Sequence, residues 1–347
     1  MIERERTSFI FDKIQESRHI GIFTHISPDG DALGSSFGLA GYLKECGKDF
    51  TIFIPSEIPD SLKFMVPATL KKNIVLYCVA NIGKVKDCDL LIGIDFNCLH
   101  RTGEWENPFR ESKAYKILID HHQNPETESF DVVESETEIS SASELAYSLL
   151  KMAPGIDGDI TKLSVTTREA LLTGMTTDTN NFANSVYPST LQMASELLAA
   201  GTDRDKIIRN LYFSYPVRRI KAQGYVLDKL LRITDFGVAY IFLDSRTQTR
   251  FGLKEGDTEG FVNIPLSLEN VKMSIFAKRE RGRRKIRISI RSKKGTSALE
   301  CAGKYFHGGG HELASGGKLI IGEDVSSEKE VAGYIEKYSR KFFIEKK

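Results

Sequence analysis

Two short apolar runs, each closed by an aspartate, constrain the fold of this chain more than any other feature. Residues 90–95 read Leu-Leu-Ile-Gly-Ile-Asp and residues 115–120 read Tyr-Lys-Ile-Leu-Ile-Asp. Continuous apolar runs of this length are typical of strands that are buried on both faces of a parallel sheet. Parallel neighbours are joined by crossover connections, usually helices, so we expect strands and helices to alternate along the chain.

That alternation is present over the first 215 residues. Further strands are predicted at 19–24 and 50–54, and apolar residues at helical spacing predict helices at 3–16, 32–46, 141–152, 164–176, 190–200 and 205–213. This order predicts a doubly wound, mainly parallel α/β domain over residues 1–215, in which ligands collect outside the carboxyl ends of the strands.

The sequence changes character after residue 215. Residues 216–231 form a charged helical pattern, which we interpret as the connection between two domains. The patterns that follow indicate a second, smaller mixed α/β domain over residues 232–347, with strands at 238–243, 272–279, 285–291 and 318–321 and helices at 298–305 and from 328 onward.

Composition excludes several classes of protein. A hydrophobic fraction of 41% over 347 residues excludes disorder and allows two cores. Lys and Arg total 48 against 47 Asp and Glu, so the net charge of +1 gives no global reason to expect a polyanionic partner. Without a bilayer-spanning apolar run or a signal-peptide pattern, the chain is expected to be cytoplasmic. The five cysteines fit neither a zinc ribbon nor a disulfide framework.

Histidine and aspartate side chains are concentrated at four places that the predicted fold brings to one crevice. They are His25, Asp29 and Asp31; Asp95; Asp120, His121 and His122; and Asp178. A mixed imidazole and carboxylate set without sulfur favours Mn²⁺ or a similar divalent cation over structural zinc. Seven or eight ligands are too many for one ion, whereas two metals about 3.5–4 Å apart would use them and would suit phosphoester hydrolysis.

Each of these motifs also has a simpler interpretation. Asp29 and Asp31 could belong to a tight turn that caps a helix, Asp95 could be a turn residue, and Asp178 could be a helix cap. The adjacent histidines are harder to explain, because a buried pair loses hydration unless both rings find partners. The combination favours a metal site, since four independent caps would not all gather at strand ends on one side of one sheet.

The order and spacing of these histidines and aspartates resemble those of the DHH phosphoesterases. A strand motif and a glycine-rich loop near the C-terminus resemble the associated DHHA1 substrate-binding domain; the residues involved are Ser289, Arg291, Gly308, Gly309, Gly310 and His311. Together the two resemblances cover nearly the whole chain. The subgroup that the chain resembles most is that of the bifunctional nanoRNases and 3′-phosphoadenosine 5′-phosphate (pAp) phosphatases.

The resemblance implies roles for the individual residues. It gives Asp95, Asp120 and His122 catalytic roles, with Asp120 orienting an imidazole and His122 contacting the substrate phosphate or assisting the leaving group. It also implies two Mn²⁺ ions, with His25 and Asp29 on one ion, Asp31, His121 and Asp178 on the other, and Asp95 bridging them.

The second domain is expected to hold the substrate phosphate. Glycines at 308–310 would let backbone N–H groups approach an anion, and Arg291 and His311 would add donors, although a glycine-rich loop alone could be a flexible connection. Residues 278–294 carry ten basic residues and one acid, a local charge of +9. Such a surface attracts polyanions, or it keeps an exposed hairpin soluble. After Asp178, residues 180–184 depart from the family pattern, which leaves the preferred substrate open.

These features predict a Mn²⁺-dependent phosphoesterase of exonuclease type that acts on short RNA or DNA oligonucleotides and on pAp. The expected partners are short single-stranded oligonucleotides or nucleotide phosphates, and no membrane. Two alternatives stay open: an exopolyphosphatase-like enzyme or a linear or cyclic dinucleotide phosphodiesterase, and a nucleic-acid-binding protein without turnover. The sequence also leaves open whether the chain forms a homodimer.

Overall fold

The computed structural model describes residues 4–345, which divide into two units between Ser214 and Tyr215. The strands of the first unit are β1 (His19–Phe23), β2 (Asp49–Ile54), β3 (Ile74–Leu76), β4 (Leu90–Ile94), β5 (Tyr115–Asp120) and β6 (Val132–Ser135). Its α-helices are α1 (Arg4–Glu16), α2 (Gly30–Glu45), α3 (Glu106–Glu111), α4 (Ala142–Lys151), α5 (Val165–Asp178), α6 (Pro188–Ala199) and α7 (Arg204–Tyr212). Several 3₁₀ turns connect them, among them Leu99–Trp105.

The strands of the first unit form one parallel sheet in the order β3-β2-β1-β4-β5-β6. The strand order reverses between β1 and β4, which is the place where ligands bind in doubly wound folds. The predicted fold class is therefore confirmed. The edge strands β3 and β6 were not predicted, because each is only three or four residues long and has too few residues for a recognisable periodicity.

Both faces of this sheet are buried. Aliphatic residues such as Ile22 and Ile92 point to one face, where they join a core with α1, α2, α4 and α5. The other face is aromatic, with Phe23 stacked on Phe53 at a centroid distance of 4.4 Å and Phe109 against the edge of Phe23 at 5.0 Å. Close packing on both faces fixes the positions of the strand ends.

Helices α2 and α5 approach closely because glycines line their contact. A Cβ on Gly34 would lie 2.6 Å from the carbonyl oxygen of Ala170 and 2.7 Å from the Cα of Gly174. A Cβ on Gly30 would lie 2.4 Å from the Thr177 hydroxyl oxygen. Only glycine permits these approaches, and they place the first turn of α2 beside the last turn of α5.

The second unit begins with α8 (Val217–Tyr225) and a π-helical turn (Val226–Leu230). Its strands are β7 (Arg232–Ile233), β8 (Val238–Leu243), β9 (Met273–Arg279), β10 (Lys285–Ser292), β11 (Gly309–Gly310) and β12 (Ala314–Ile320). Its further α-helices are α9 (Ser245–Arg250), α10 (Ala298–Tyr305) and α11 (Val331–Glu345).

The second sheet has the order β11-β12-β10-β9-β8-β7 and is mixed, because β8 and β9 are parallel and the other pairs are antiparallel. Strand β12 begins at Ala314, earlier than predicted, because Gly316 and Gly317 hide its alternation in the sequence. Ala222 of α8 and Val226 pack in a core cluster with residues of β8 and β9. Between residues 4 and 345, no helix has the length and apolar character needed to cross a membrane.

Candidate metal centre

Three neighbouring strands are each followed by a histidine or aspartate at the same edge of the first sheet. His25 follows β1, Asp95 follows β4 and His121 follows β5. The Nε2 atoms of His25 and His121 each lie 3.5 Å from Asp95, on its Oδ2 and Oδ1 oxygens respectively. Asp95 adopts a left-handed backbone conformation with φ of 63°, which aspartate tolerates better than most residues. Its carboxylate thus lies between two imidazoles.

Asp29 acts both as a helix cap and as a member of this cluster. Its Oδ1 accepts hydrogen bonds of 3.0 Å from the backbone N–H groups of Asp31 and Ala32 at the start of α2. Its Oδ2 lies 3.8 Å from Nε2 of His25. The two interpretations of this turn are therefore compatible, because each uses a different oxygen.

The buried Asp31 carboxylate is held at the N-terminus of α4. Its oxygens accept hydrogen bonds of 2.7 and 2.9 Å from the backbone N–H groups of Ala142 and Ser143. Its Oδ2 also lies 3.8 Å from Nε2 of His121. A helix N-terminus favours a negative charge, so this contact orients Asp31 towards His121 and offsets part of its desolvation.

Asp178 comes from a helix rather than from a strand end. It is the last residue of α5, and its Oδ2 lies 3.7 Å from Nε2 of His121. The expectation that all four motifs lie at strand ends is therefore wrong for this residue. Asp178 reaches the cluster because the glycine contact brings the end of α5 beside the start of α2.

These side chains form two groups of potential ligand atoms that share Asp95. His25, Asp29 and Asp95 form one group, and Asp31, Asp95 and His121 form the other; within each, the ligand atoms lie within 4.8 Å of one another. Nδ1 of His25 is 2.9 Å from the Ile26 carbonyl oxygen, to which it can only donate, and this leaves a lone pair on Nε2. Among the described residues, the buried Nε2 of His25 has no hydrogen-bond partner. An orphaned imidazole nitrogen facing two carboxylates fits a metal ligand.

The ionisable groups of the cluster strongly shift one another's pKa values. Burial, together with Asp95 and Asp178, raises the pKa of Asp31 well above its usual range. Burial alone would also raise the pKa of Asp95, but the imidazoles of His121 and His25 hold it well below its usual range. Burial disfavours the charged form of His121, yet the carboxylates around it raise its pKa to about 10. Positive charge stabilises clustered carboxylates of this kind, and divalent cations would supply it.

Asp120 and His122 form a second chain of hydrogen bonds beside this cluster. Nδ1 of His122 donates to Oδ1 of the buried Asp120 at 2.7 Å, and the His122 backbone N–H donates to Oδ2 at 3.1 Å. The imidazole that Asp120 orients is thus that of His122, not that of His121. On the far side of the ring, Arg101 Nη1 donates to His122 Nε2 at 2.9 Å. Sequence reasoning missed Arg101, because a single arginine in a 3₁₀ turn carries no local pattern.

The residues expected to bind substrate lie together on the second sheet. Gly309 of β11, Gly316 of β12 and Ser289 of β10 are side by side across three strands. Arg291 lies two residues further along β10, on the same face as Ser289, while the alternate residues of β10 are buried in the core. His311 lies in the tight turn between β11 and β12, where its N–H donates to the Ala314 carbonyl at 2.8 Å.

Close packing against neighbouring backbone explains why glycine occupies most positions of the loop at 308–310. A Cβ on Gly308 would lie 1.9 Å from the Gly316 carbonyl oxygen, and Gly310 has a φ of 141°. The N–H of Gly308 donates to the Ala302 carbonyl at the end of α10. The backbone N–H groups of Gly308 and His311 are therefore used within the fold, which weakens the interpretation of this loop as an anion-binding nest. A Cβ on Gly309 would meet open space.

The basic stretch is less positive in the fold than in the sequence. Glu255, which lies outside it, contacts both Lys278 and Arg287 at 3.0 Å. Glu328 contacts Arg279 at 2.9 Å. Long-range acids thus reduce the charge that residues 278–294 present to a polyanion.

The segment after Asp178 turns sharply. Asn180, Asn181 and Phe182 all have left-handed φ angles, of 47°, 57° and 67°. The side-chain oxygen of Asn181 accepts a hydrogen bond from Arg204 Nη2 at 2.6 Å. The Asn181 side chain therefore already binds a residue of α7 within the first unit.

Each unit is similar to a known domain family. The model of the "DHH family, N-terminal domain" matches residues 19–177, and that of the "DHHA1 domain" matches residues 235–332. The candidate metal ligands other than Asp178 lie inside the first match, and Asp178 follows it directly.

Curated relatives and solved structures match nearly the whole chain. A probable bifunctional oligoribonuclease and PAP phosphatase, NrnA, from Streptococcus mutans is 30% identical over 92% of this chain and 96% of its own length. The Bacillus subtilis NrnA is 27% identical over 90% of this chain and 91% of its own length. An exopolyphosphatase-related protein from Bacteroides fragilis has a crystal structure that is 34% identical, with a TM-score of 0.88 over 99% of this chain and 98% of that one.

Proposed function

This chain belongs to the DHH family of phosphoesterases, and we propose that it hydrolyses short oligonucleotides and pAp. The observation that carries the proposal is the pair of ligand groups that share Asp95. Two metal sites with a common carboxylate suit phosphoester hydrolysis, because paired cations stabilise both the attacking and the leaving oxygen. The names of the NrnA relatives support the substrate class.

The proposed ligands follow the geometry of the two groups. His25 and Asp29 would hold one cation, Asp31, His121 and Asp178 the other, with Asp95 between them. Nitrogen and oxygen donors without sulfur suit Mn²⁺. When bound, the cations supply Lewis acidity and lower the pKa of a coordinated water towards neutrality.

Side chains of the protein itself position the proposed metal ligands and bind the substrate. Asp29 and Asp31 are fixed by backbone N–H groups of α2 and α4, so both carboxylates are positioned before a ligand arrives. Asp120 holds the His122 ring beside Asp95, whose Oδ1 is 3.8 Å from His122 Nδ1. We assign catalysis to residues 1–215, the connection to 216–231 and substrate binding to 232–347. The proposed substrate residues are Ser289, Arg291, Gly308, Gly309, Gly310 and His311.

A steady-state assay with pAp and with di- to pentanucleotides tests the proposal. Asp95→Ala is expected to lower kcat by about 100-fold or more, because both ligand groups lose their common carboxylate. Asp60→Asn, a change at an exposed aspartate that pairs with Lys63, is the matched control and should keep full activity. Unchanged turnover in Asp95→Ala would exclude the two-metal mechanism.

One alternative substrate class is suggested by a relative. The Bacteroides fragilis protein is described as exopolyphosphatase-related, so polyphosphate belongs in the same substrate panel. Preferred turnover of polyphosphate over every oligonucleotide would reassign the substrate and keep the metal chemistry. A nucleic-acid-binding protein without turnover is distinguished by EDTA, which abolishes activity of an enzyme and only alters the affinity of a binding protein.

A further inference from the structure

Arg101 lies beside the candidate metal centre, and none of the roles proposed above involves its positive charge. Its Nη1 donates to Nε2 of His122, and His122 in turn donates from Nδ1 to Asp120. Since a guanidinium only donates hydrogen bonds, His122 accepts from Arg101 on one nitrogen and donates to Asp120 from the other. The ring therefore joins Arg101 to a buried carboxylate.

Arg101 is also tied to the strand end that carries His25. The Arg101 carbonyl oxygen accepts a hydrogen bond of 2.7 Å from the Ile26 N–H, and the Ile26 carbonyl accepts from Nδ1 of His25 at 2.9 Å. Gly103, with a φ of 63°, turns the same loop so closely over Ile26 that a Cβ would lie 2.9 Å from the Ile26 side chain. One peptide thus links Arg101 to a candidate metal ligand, which fixes the loop relative to the site.

The guanidinium keeps most of its hydrogen-bonding capacity. Of its five N–H donors, the contact with His122 is the one hydrogen bond that its side chain makes among residues 4–345. Arg101 is half-buried, and its other four N–H donors have no hydrogen-bond partner among residues 4–345. A planar set of N–H donors without protein partners can bind two oxygens of a phosphate at once.

The charge of the cluster favours the same role. Five aspartates lie in or beside the cluster, and hydrogen bonds through His122 join the Arg101 guanidinium to one of them, Asp120. Electrostatic donors held in place are the groups that stabilise charge most effectively during phosphoryl chemistry.

We infer that Arg101 binds the phosphate that is cleaved, and that His122 and Asp120 position its guanidinium. This inference rests on the proposed function, since it concerns the same site. Arg101 is then a substrate-binding residue, and His122 is a positioning residue that acts through it. The ligand chemistry is that of a phosphate monoester or diester.

Two variants test the inference by activity and by binding. Arg101→Ala is expected to lower kcat on a dinucleotide by about 10²–10³-fold, while the stoichiometry and affinity of Mn²⁺, measured by titration calorimetry, stay unchanged. Added guanidinium at concentrations that leave the fold intact should restore part of the lost rate. Arg101→Lys should restore little, because a point charge cannot both contact His122 and present paired donors.

Arg110→Ala is the matched control, because Arg110 lies in the same unit and pairs with the carboxylates of Glu106 and Glu126 rather than with the cluster. It should keep wild-type activity and show no response to guanidinium. Wild-type kcat in Arg101→Ala overturns the inference, as does a parallel loss of Mn²⁺ binding, which would give Arg101 a structural role only. Full activity in Arg101→Lys would contradict the claim that His122 positions the Arg101 guanidinium.

Binding of AMP to the Mn²⁺-loaded protein separates this inference from the proposed function. If the wild type does not cleave oligonucleotides, the proposed function fails. In that case weaker AMP binding by Arg101→Ala than by Arg110→Ala still supports the phosphate contact. Equal AMP affinity in the two variants overturns it.

Discussion

At the scale of single residues, one carboxylate performs two tasks. Asp29 caps α2 through Oδ1 and faces His25 through Oδ2. The sequence analysis treated these interpretations as alternatives, because a pattern of residue types does not distinguish the two oxygens of one side chain. The geometry makes the tasks separable by mutation, since asparagine caps a helix about as well as aspartate but lacks its charge.

Asp29→Asn is expected to leave the thermal midpoint unchanged and to weaken Mn²⁺ binding and turnover. Asp29→Ala should show the same loss of metal binding and also lose about 0.5–2 kcal/mol of stability, because the cap is removed. Denaturant unfolding and metal titration measure the two effects. Asp203→Ala, which removes the cap of α7, is the control that should lower stability alone. Equal stability of Asp29→Asn and Asp29→Ala would contradict the cap.

At the scale of elements, the contact between α2 and α5 decides whether the site can form. Asp31 lies in the first turn of α2 and Asp178 ends α5, so the distance between two proposed ligands depends on how closely the helices pack. Gly30, Gly34 and Gly38 recur every four residues in the sequence, a spacing that puts them on one face of α2 and could have indicated the contact. It was not used in the sequence analysis, since glycine in a helix carries no periodic hydrophobicity.

Gly34→Ala is expected to destabilise the protein by about 1–3 kcal/mol and to weaken Mn²⁺ binding, because the added methyl meets backbone atoms that cannot move aside. Gly224→Ala in α8 is the matched control. A Cβ there would meet open space, so the change should be neutral or should stabilise by about 0.4–1 kcal/mol. Unfolding curves and metal titrations test both variants. Wild-type metal affinity in Gly34→Ala would show that the helix spacing does not control the site.

At the scale of the whole molecule, the two units carry different chemistry. The clustered carboxylates lie in the first unit, whereas the second has arginine, serine and glycine side by side on strands β10, β11 and β12. We therefore expect changes on the second sheet to alter substrate affinity without altering metal binding.

Arg291→Ala is expected to raise KM for oligonucleotides by about 10- to 100-fold, the range for losing a hydrogen bond to a charged group. Its Mn²⁺ affinity should equal that of the wild type. The control is Arg232→Ala, because Arg232 is exposed and bonds to the neighbouring carbonyls of Lys229 and Leu231. A KM equal to that of the control would remove Arg291 from the proposed substrate site.

By itself, the sequence determined the buried central strands of the first sheet and the types of donor that follow them. Continuous apolar runs specify buried parallel strands, and the residues that follow them must lie at one edge, which brings His25, Asp95 and His121 together. Local periodicity is sufficient for such predictions, because burial on both faces leaves a strand little choice of residues. The sequence also determined that sulfur takes no part in the candidate site.

Only the tertiary structure decided which side chains meet. Asp178 reaches His121 through a helix contact, Asp120 holds His122 rather than His121, and Arg101 lies against the far side of that ring. Glu255 reduces the charge of a basic stretch that begins more than twenty residues later. These contacts join residues far apart in the chain, and their formation depends on packing and on backbone geometry that no local pattern encodes.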